Sequence, residues 1–127
     1  MSIQDSRRGL PRGRLTPSPV EHVLVRYCFH LRVRPDKVRE YVEEHRKVWP
    51  DVLAALKEAG IRNYSIFMWK DGHEFGIFEC DDWNAAKGIL GASEAVARWE
   101  SHMAAYLDRP VQPGADLEWL DEVFRLD

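Results

Sequence analysis

Three groups of residues in this 127-residue chain set imidazole, phenol, indole and carboxyl side chains at spacings that suit chemistry. Tyr41-x3-His45-x3-Trp49-Pro50 puts two polar aromatics one helical turn apart, with a tryptophan at a proline break. Asn63-Tyr64 opens a run of aromatic and β-branched residues, and Arg98-Trp99-Glu100 lies in an amphipathic stretch. Histidine gives and takes protons near neutrality because its unperturbed pKa is about 6.5. Tyrosine adds a hydroxyl to an apolar ring, and tryptophan adds a broad apolar plane. Each residue also has a plain structural reading. His45 then is a satisfied core histidine, Tyr41 and Tyr64 are core residues with hydrogen-bonded tips, and Trp49 and Trp99 are packing residues. Glu100 is a solvated helix charge.

Other chemistries lack their residues. There is no HxxxH, HExxH or CxxC, no carboxylate cluster, no Gly-rich phosphate loop and no GxSxG elbow. Neither a metal nor a cofactor is expected. Cys28 and Cys80 neither demand nor exclude a disulfide.

The elements that position these groups follow from periodicity. From His22 to Val33 the chain alternates: Val25, Tyr27, Phe29, Leu31 and Val33 on one face, Arg26, Cys28, His30 and Arg32 on the other, a strand pattern. Pro35 suits the first position of a helix, and Asp36 suits its positive end. Val38, Tyr41, Val42, His45 and Trp49 share one helical face. Pro50 forces a break at Trp49 and opens a second helix to about Ala59, with Leu53, Leu56 and Ala59 toward the core and Gly60 as the stop. Ile61–Trp69 and His73–Cys80, joined by Lys70-Asp71-Gly72, read as a hairpin. Residues 82–90 form a short helix, and Ser93-Glu94 opens another through Tyr106 with Val96, Trp99 and Met103 on one face. After a Pro/Gly loop, Leu117–Leu126 is expected to return as a strand carrying Val123, Phe124 and Leu126. The order predicts an α+β, ferredoxin-like (split βαβ) antiparallel sheet with helices on one face. Aromatic residues and cysteine on both strand faces predict that a second subunit covers the other, giving a two-fold homodimer.

Composition bounds the remaining classes. The chain is 45% hydrophobic and 31% charged with a net charge of -3, which argues against nucleic acid as the main partner. Residues 1–20 carry Arg7, Arg8, Arg12 and Arg14 against Asp5, a local +3 that leaves -6 for residues 21–127. That segment, with Pro11, Pro17 and Pro19, reads as a flexible Arg/Pro-rich tail before a single domain over 21–127. No membrane span or signal-peptide core is evident, and the expected compartment is the cytoplasm.

The segments EYVEEHRKVWPDV (Glu40–Val52), RNYSIF (Arg62–Phe67), DDWNAA, RWESHM and EVFRLD, in that order and spacing, resemble the L-rhamnose mutarotase family over roughly residues 26–126. The resemblance implies a dimeric α/β barrel of ferredoxin-like protomers that interconverts the α and β anomers of a 6-deoxy sugar without a cofactor. It places the family's proton-donating histidine on His45, its sugar-binding tyrosines on Tyr41 and Tyr64, and the first of a tryptophan pair on Trp99. The second tryptophan does not carry over, because Glu100 occupies its place. A carboxylate there favours hydrogen bonding to a hydroxyl, so the expected substrate is a monosaccharide hydroxylated differently from L-rhamnose, such as L-fucose or another aldose. The group that complements His45 stays open among water, a tyrosine hydroxyl and Glu100. Two other readings fit the same barrel: different chemistry, such as a cofactor-independent monooxygenase or a haem-handling protein with His45 as ligand, and a non-catalytic sugar-binding domain.

Overall fold

Residues 24–109 and 117–127 are described in a computed structural model. The segment 1–20, His22 at the head of the expected first strand, and most of the loop before the last strand lie outside the described residues.

The apolar alternation becomes strand β1, Val25–Arg32. Tyr27, Phe29 and Leu31 lie opposite Phe78, Gly76 and Glu74 of β3 (His73–Cys80) in an antiparallel ladder, so these six residues share one face. β2 (Arg62–Trp69) pairs with the other edge of β3, and β4 (Glu118–Leu120) with the other edge of β1. The sheet order β2-β3-β1-β4, antiparallel throughout, is that of the split βαβ plan.

The proline at position 35 opens a 3-10 turn, Pro35–Lys37, that runs into α1, Val38–His45. Trp49 is extended at ψ 139° and Pro50 starts α2, Pro50–Glu58, as the steric demands of an X-Pro step require. Asp82 caps α3 (Trp83–Gly91) by accepting from the Ala85 N–H at 3.0 Å, and Ser93 caps α4 (Glu94–Met103) by accepting from Val96 at 3.2 Å. All four helices cover the face that carries Phe29, Glu74 and Phe78. Ala55, Ala59, Ala86, Leu90 and Val96 pack on Phe29, Phe78 and Cys80 in one core cluster. Val33, Tyr41, Val52, Trp99, Met103 and Leu107 form a second.

Two glycines make close approaches possible. Gly72 has φ +84° beside Asp71 at φ 63°, and a Cβ on it would lie 2.0 Å from the Val33 carbonyl oxygen. Gly76 faces the Phe29 ring, which occupies the space a side chain would need: a Cβ there would lie 2.2 Å from Phe29 Cζ.

Several expectations are corrected. The last helix is α-helical only to Met103 and tightens into a 3-10 turn over Ala104–Tyr106. Val42 and Leu53, assigned to core faces, are exposed, because each helix is under three turns long and buries a narrower stripe than the sequence pattern offers. The final strand stops at Leu120, and Val123, Phe124 and Leu126 lie beyond it largely exposed. Cys28 and Cys80 are both free, on opposite faces of the sheet. On the face away from the helices, Phe67 and Trp69 are 58% and 57% exposed. Among the described residues no helix is long and apolar enough to cross a membrane.

Because Phe29 fills the space above Gly76, Gly76→Ala forces that ring off its position. It should destabilise the fold by about 1–3 kcal/mol, read as a lower urea midpoint with an unchanged m value. An unaltered midpoint would refute the tight packing.

Candidate active site

Tyr41 and His45 lie four residues apart on α1 and so share a face; their rings pack at 4.6 Å between centroids. The His45 Nδ1–H donates to the Tyr41 carbonyl at 3.0 Å. A carbonyl can only accept, so this bond places the proton of the neutral ring on Nδ1 and leaves Nε2 to exchange a proton. Tyr41 itself is buried, and its hydroxyl donates to Glu74 Oε1.

Glu74 is 1% exposed, the one charged residue type found buried among the described residues. The register sets it between Leu31 and Met68 on the helix-facing side of the sheet. A carboxyl there is tolerable only with a donor in reach, and Tyr41 supplies it.

Tyr64 reaches the same space through a β-bulge. From Arg62 to Ser65 β2 advances three residues while β3 advances two, from Glu79 to Ile77. Asn63 absorbs the difference at φ 49°, a left-handed conformation that asparagine tolerates, and its Nδ2 donates to Glu79 Oε1 at 2.7 Å. The extra residue turns Tyr64 toward Phe29 and Phe78, with ring centroids at 6.3 and 5.8 Å.

Trp99 on α4 is buried, edge-on to His45 at 5.7 Å and to Trp49 at 5.1 Å. Glu100 follows it into the same space. His45, Tyr41, Tyr64, Trp99 and Glu100 therefore all line one cavity of about 400 Å³, walled by apolar residues including Phe29, Val52, Leu56 and Met103. That is the size of a small-molecule site. Arg98 does not join it; it pairs with Asp51 at 3.0 Å across two exposed side chains. Trp49 sits behind Trp99, and Asn63 acts only through the bulge.

The cavity also holds Glu74, which the sequence analysis did not single out. The signal was present: in His73–Cys80, Glu74 shares its alternation with Gly76, Phe78 and Cys80, so a strand that buries Phe78 buries Glu74 as well. Among the described residues no lysine or arginine lines the cavity. Burial lifts the Glu74 carboxyl above its ordinary range against the opposing effect of the Tyr41 hydrogen bond. Burial, with the charge of Glu74 second, lifts Glu100 to about 7. Burial and the Glu74 charge together push the Tyr41 phenol far above its ordinary value, so it stays a hydroxyl. Among the described residues no three His, Cys, Asp or Glu side chains converge as a metal-holding set.

A family model described as L-rhamnose mutarotase matches residues 26–126. An L-rhamnose mutarotase of Lactiplantibacillus plantarum is 30% identical over 105 residues, which cover 82% of this chain and 100% of the relative. One of Rhizobium meliloti is 31% identical over 84 residues, 65% of this chain and 80% of the relative. The crystal structure of an L-rhamnose mutarotase from Formosa agariphila superposes with a TM-score of 0.67 at 25% identity, covering 81% of this chain and 99% of that one. Tetracenomycin F2 cyclase from Streptomyces glaucescens, at 17% identity and a TM-score of 0.57, covers 81% of this chain and 97% of its own; it shares the fold.

The raised Glu100 carboxyl has a consequence for stability. The folded state binds its proton up to about pH 7 while the unfolded chain releases it near 4.5, so folding is favoured below that window and loses the contribution as pH rises through it. Glu100→Gln, which mimics the protonated form, should match the wild type at pH 4 and exceed it by roughly 2–3 kcal/mol at pH 8. Urea unfolding at the two pH values checks this; equal stability of both proteins at pH 8 would contradict the burial of Glu100.

Proposed function

The chain belongs to the L-rhamnose mutarotase family, and from that membership we propose that it opens and recloses the ring of an aldose, interconverting its α and β anomers. The convergence of His45, Tyr41, Tyr64 and Trp99 on one cavity supports the reading most directly. They are the positions the family resemblance marks, and they come from three separate elements, α1, β2 and α4.

Mutarotation asks for two proton transfers. One group protonates the ring oxygen as the bond from the anomeric carbon breaks, and another takes the proton of the anomeric hydroxyl. Reclosure on the opposite face of the aldehyde returns both protons. His45 is the proton donor in this reading, acting from Nε2, with Nδ1 tethered to the Tyr41 carbonyl so that the ring keeps its aim. Tyr41 has spent its proton on Glu74 and meets the sugar as an acceptor for one of its hydroxyls. Tyr64, 38% exposed, offers a hydroxyl from the more open side, and Trp99 gives an apolar plane to the C–H face of the pyranose. Nothing is oxidised or reduced, so the reaction calls for no electron sink.

Glu100 bears on which sugar fits. With its carboxyl in the cavity rather than in solvent, an aldose with a hydroxyl to meet it is favoured over L-rhamnose. A homodimer completes the assembly: Phe67 and Trp69, exposed on the face without helices, are the surface a second copy covers.

Saturation-transfer NMR between the α and β anomeric protons of L-rhamnose, L-fucose and other aldoses tests the reaction. Faster exchange is expected, reduced at least about 100-fold in His45→Ala; no acceleration of any aldose would remove the mutarotase reading. L-rhamnose turning over as well as or better than every other aldose would remove the substrate preference alone. Sedimentation should show a dimer that Trp69→Lys dissociates, and a monomeric wild type would refute the assembly.

A further inference from the structure

We propose that Glu100 is the second proton-transfer group of the cavity, working opposite His45, and that Glu74 sets its charge state from the sheet side. The proposal rests on the mutarotase reading above and assigns the partner that reading leaves open.

Two carboxyls enter one cavity from different layers, Glu74 from β3 and Glu100 from α4. The titratable groups that line the cavity together with Glu100 are Glu74, Tyr41, Tyr64 and His45. Among the described residues no lysine or arginine lines the cavity to compensate, and Glu74 has Tyr41 as its hydrogen-bond donor. Two carboxylates between apolar walls cannot both ionise cheaply, so the pair retains a proton into the neutral range. The helix itself offers the alternative that Glu100 does not take: Arg98, two residues earlier, turns outward to Asp51. A carboxyl held where it is half-protonated near neutrality, in the same cavity as an imidazole, is the arrangement general acid–base chemistry uses.

The step balances. In ring opening the His45 imidazolium gives its Nε2 proton to the ring oxygen, which also takes the electron pair of the breaking C1–O5 bond. The Glu100 carboxylate takes the proton of the anomeric hydroxyl as the C1=O1 bond forms. Reclosure reverses both transfers on the other face of the aldehyde, so the His45–Glu100 couple carries one proton before and after. Glu74 touches no reacting atom; it is a positioning residue that holds Tyr41 and, through its charge, keeps Glu100 from ionising early.

Anomeric exchange of the preferred aldose, followed against pH by saturation-transfer NMR, should give a bell for the wild type. Glu100→Gln should lose at least about 100-fold at the optimum. Glu74→Gln, whose amide oxygen can still accept from Tyr41, should move the limb set by Glu100 to lower pH by about one unit. In parallel, carbon-13 NMR of the glutamate carboxyls should show one group titrating near neutrality that disappears in Glu100→Gln and titrates lower in Glu74→Gln. Acceleration retained in Glu100→Gln overturns the assignment while leaving the mutarotase reading intact. No glutamate titrating above about pH 5.5 overturns it equally, without reference to activity. A Glu100 limb unmoved in Glu74→Gln overturns the role of Glu74. A wild type that accelerates no aldose overturns the mutarotase reading and this assignment together.

Discussion

The hydrogen bond from the Tyr41 hydroxyl to the Glu74 carboxyl is the tie on which the site depends. A carboxyl at the centre of a sheet face, flanked by Leu31 and Met68, pays a large desolvation cost that a single well-placed donor offsets in part. Meeting it fixes α1 against β3. Because α1 spans only Val38–His45, holding Tyr41 also fixes His45 one turn on, and the Tyr41 carbonyl then orients the imidazole. Trp99 packs against that imidazole and against Trp49, which stands at the Pro50 break. The chain of contacts thus runs from the sheet through α1 to α4, and Glu100 arrives in the cavity as the next residue along.

Few polar groups share this cavity, and its walls are apolar, so each charge is screened less than it would be at the surface. Surface ion pairs such as Arg98–Asp51 tie neighbouring helices at little net gain, since both side chains keep more than half their area in water. The cavity carboxyls are a different case: their ionisation is coupled to burial and to each other, and their protons become part of the chemistry available to the site.

The sheet has two unlike faces. One carries the core and the cavity. On the other, polar groups pair among themselves: His30 bridges Glu118 at 2.8 Å and His73 at 2.9 Å, and Arg26 reaches Glu79 at 3.3 Å. Exposed apolar side chains stand at both edges of that face, Phe67 and Trp69 on β2 and Leu120 on β4. In the same way Val123, Phe124 and Leu126 extend past β4 largely exposed. Both features are apolar side chains that the described residues of one chain leave largely uncovered.

Most of the architecture was legible in the residues because it is encoded locally. Alternation marked β1, Asp71-Gly72 marked the hairpin, Pro50 marked the break between α1 and α2, and Ser93 marked the start of α4; each depends on neighbours a few residues away. The short final strand and the exposure of Val42 and Leu53 were not legible, since each depends on how much apolar surface the rest of the fold presents. The site divides in the same way. His45, Tyr41, Tyr64, Trp99 and Glu100 could be named from motif order alone. That they line one cavity, that Glu74 joins them, and that Glu100 turns inward while Arg98 turns out were decided by tertiary structure. The reason is distance along the chain: Tyr41 and Glu74 are 33 residues apart, and the cost of burying a charge is set by what surrounds it in space, not by its neighbours in sequence.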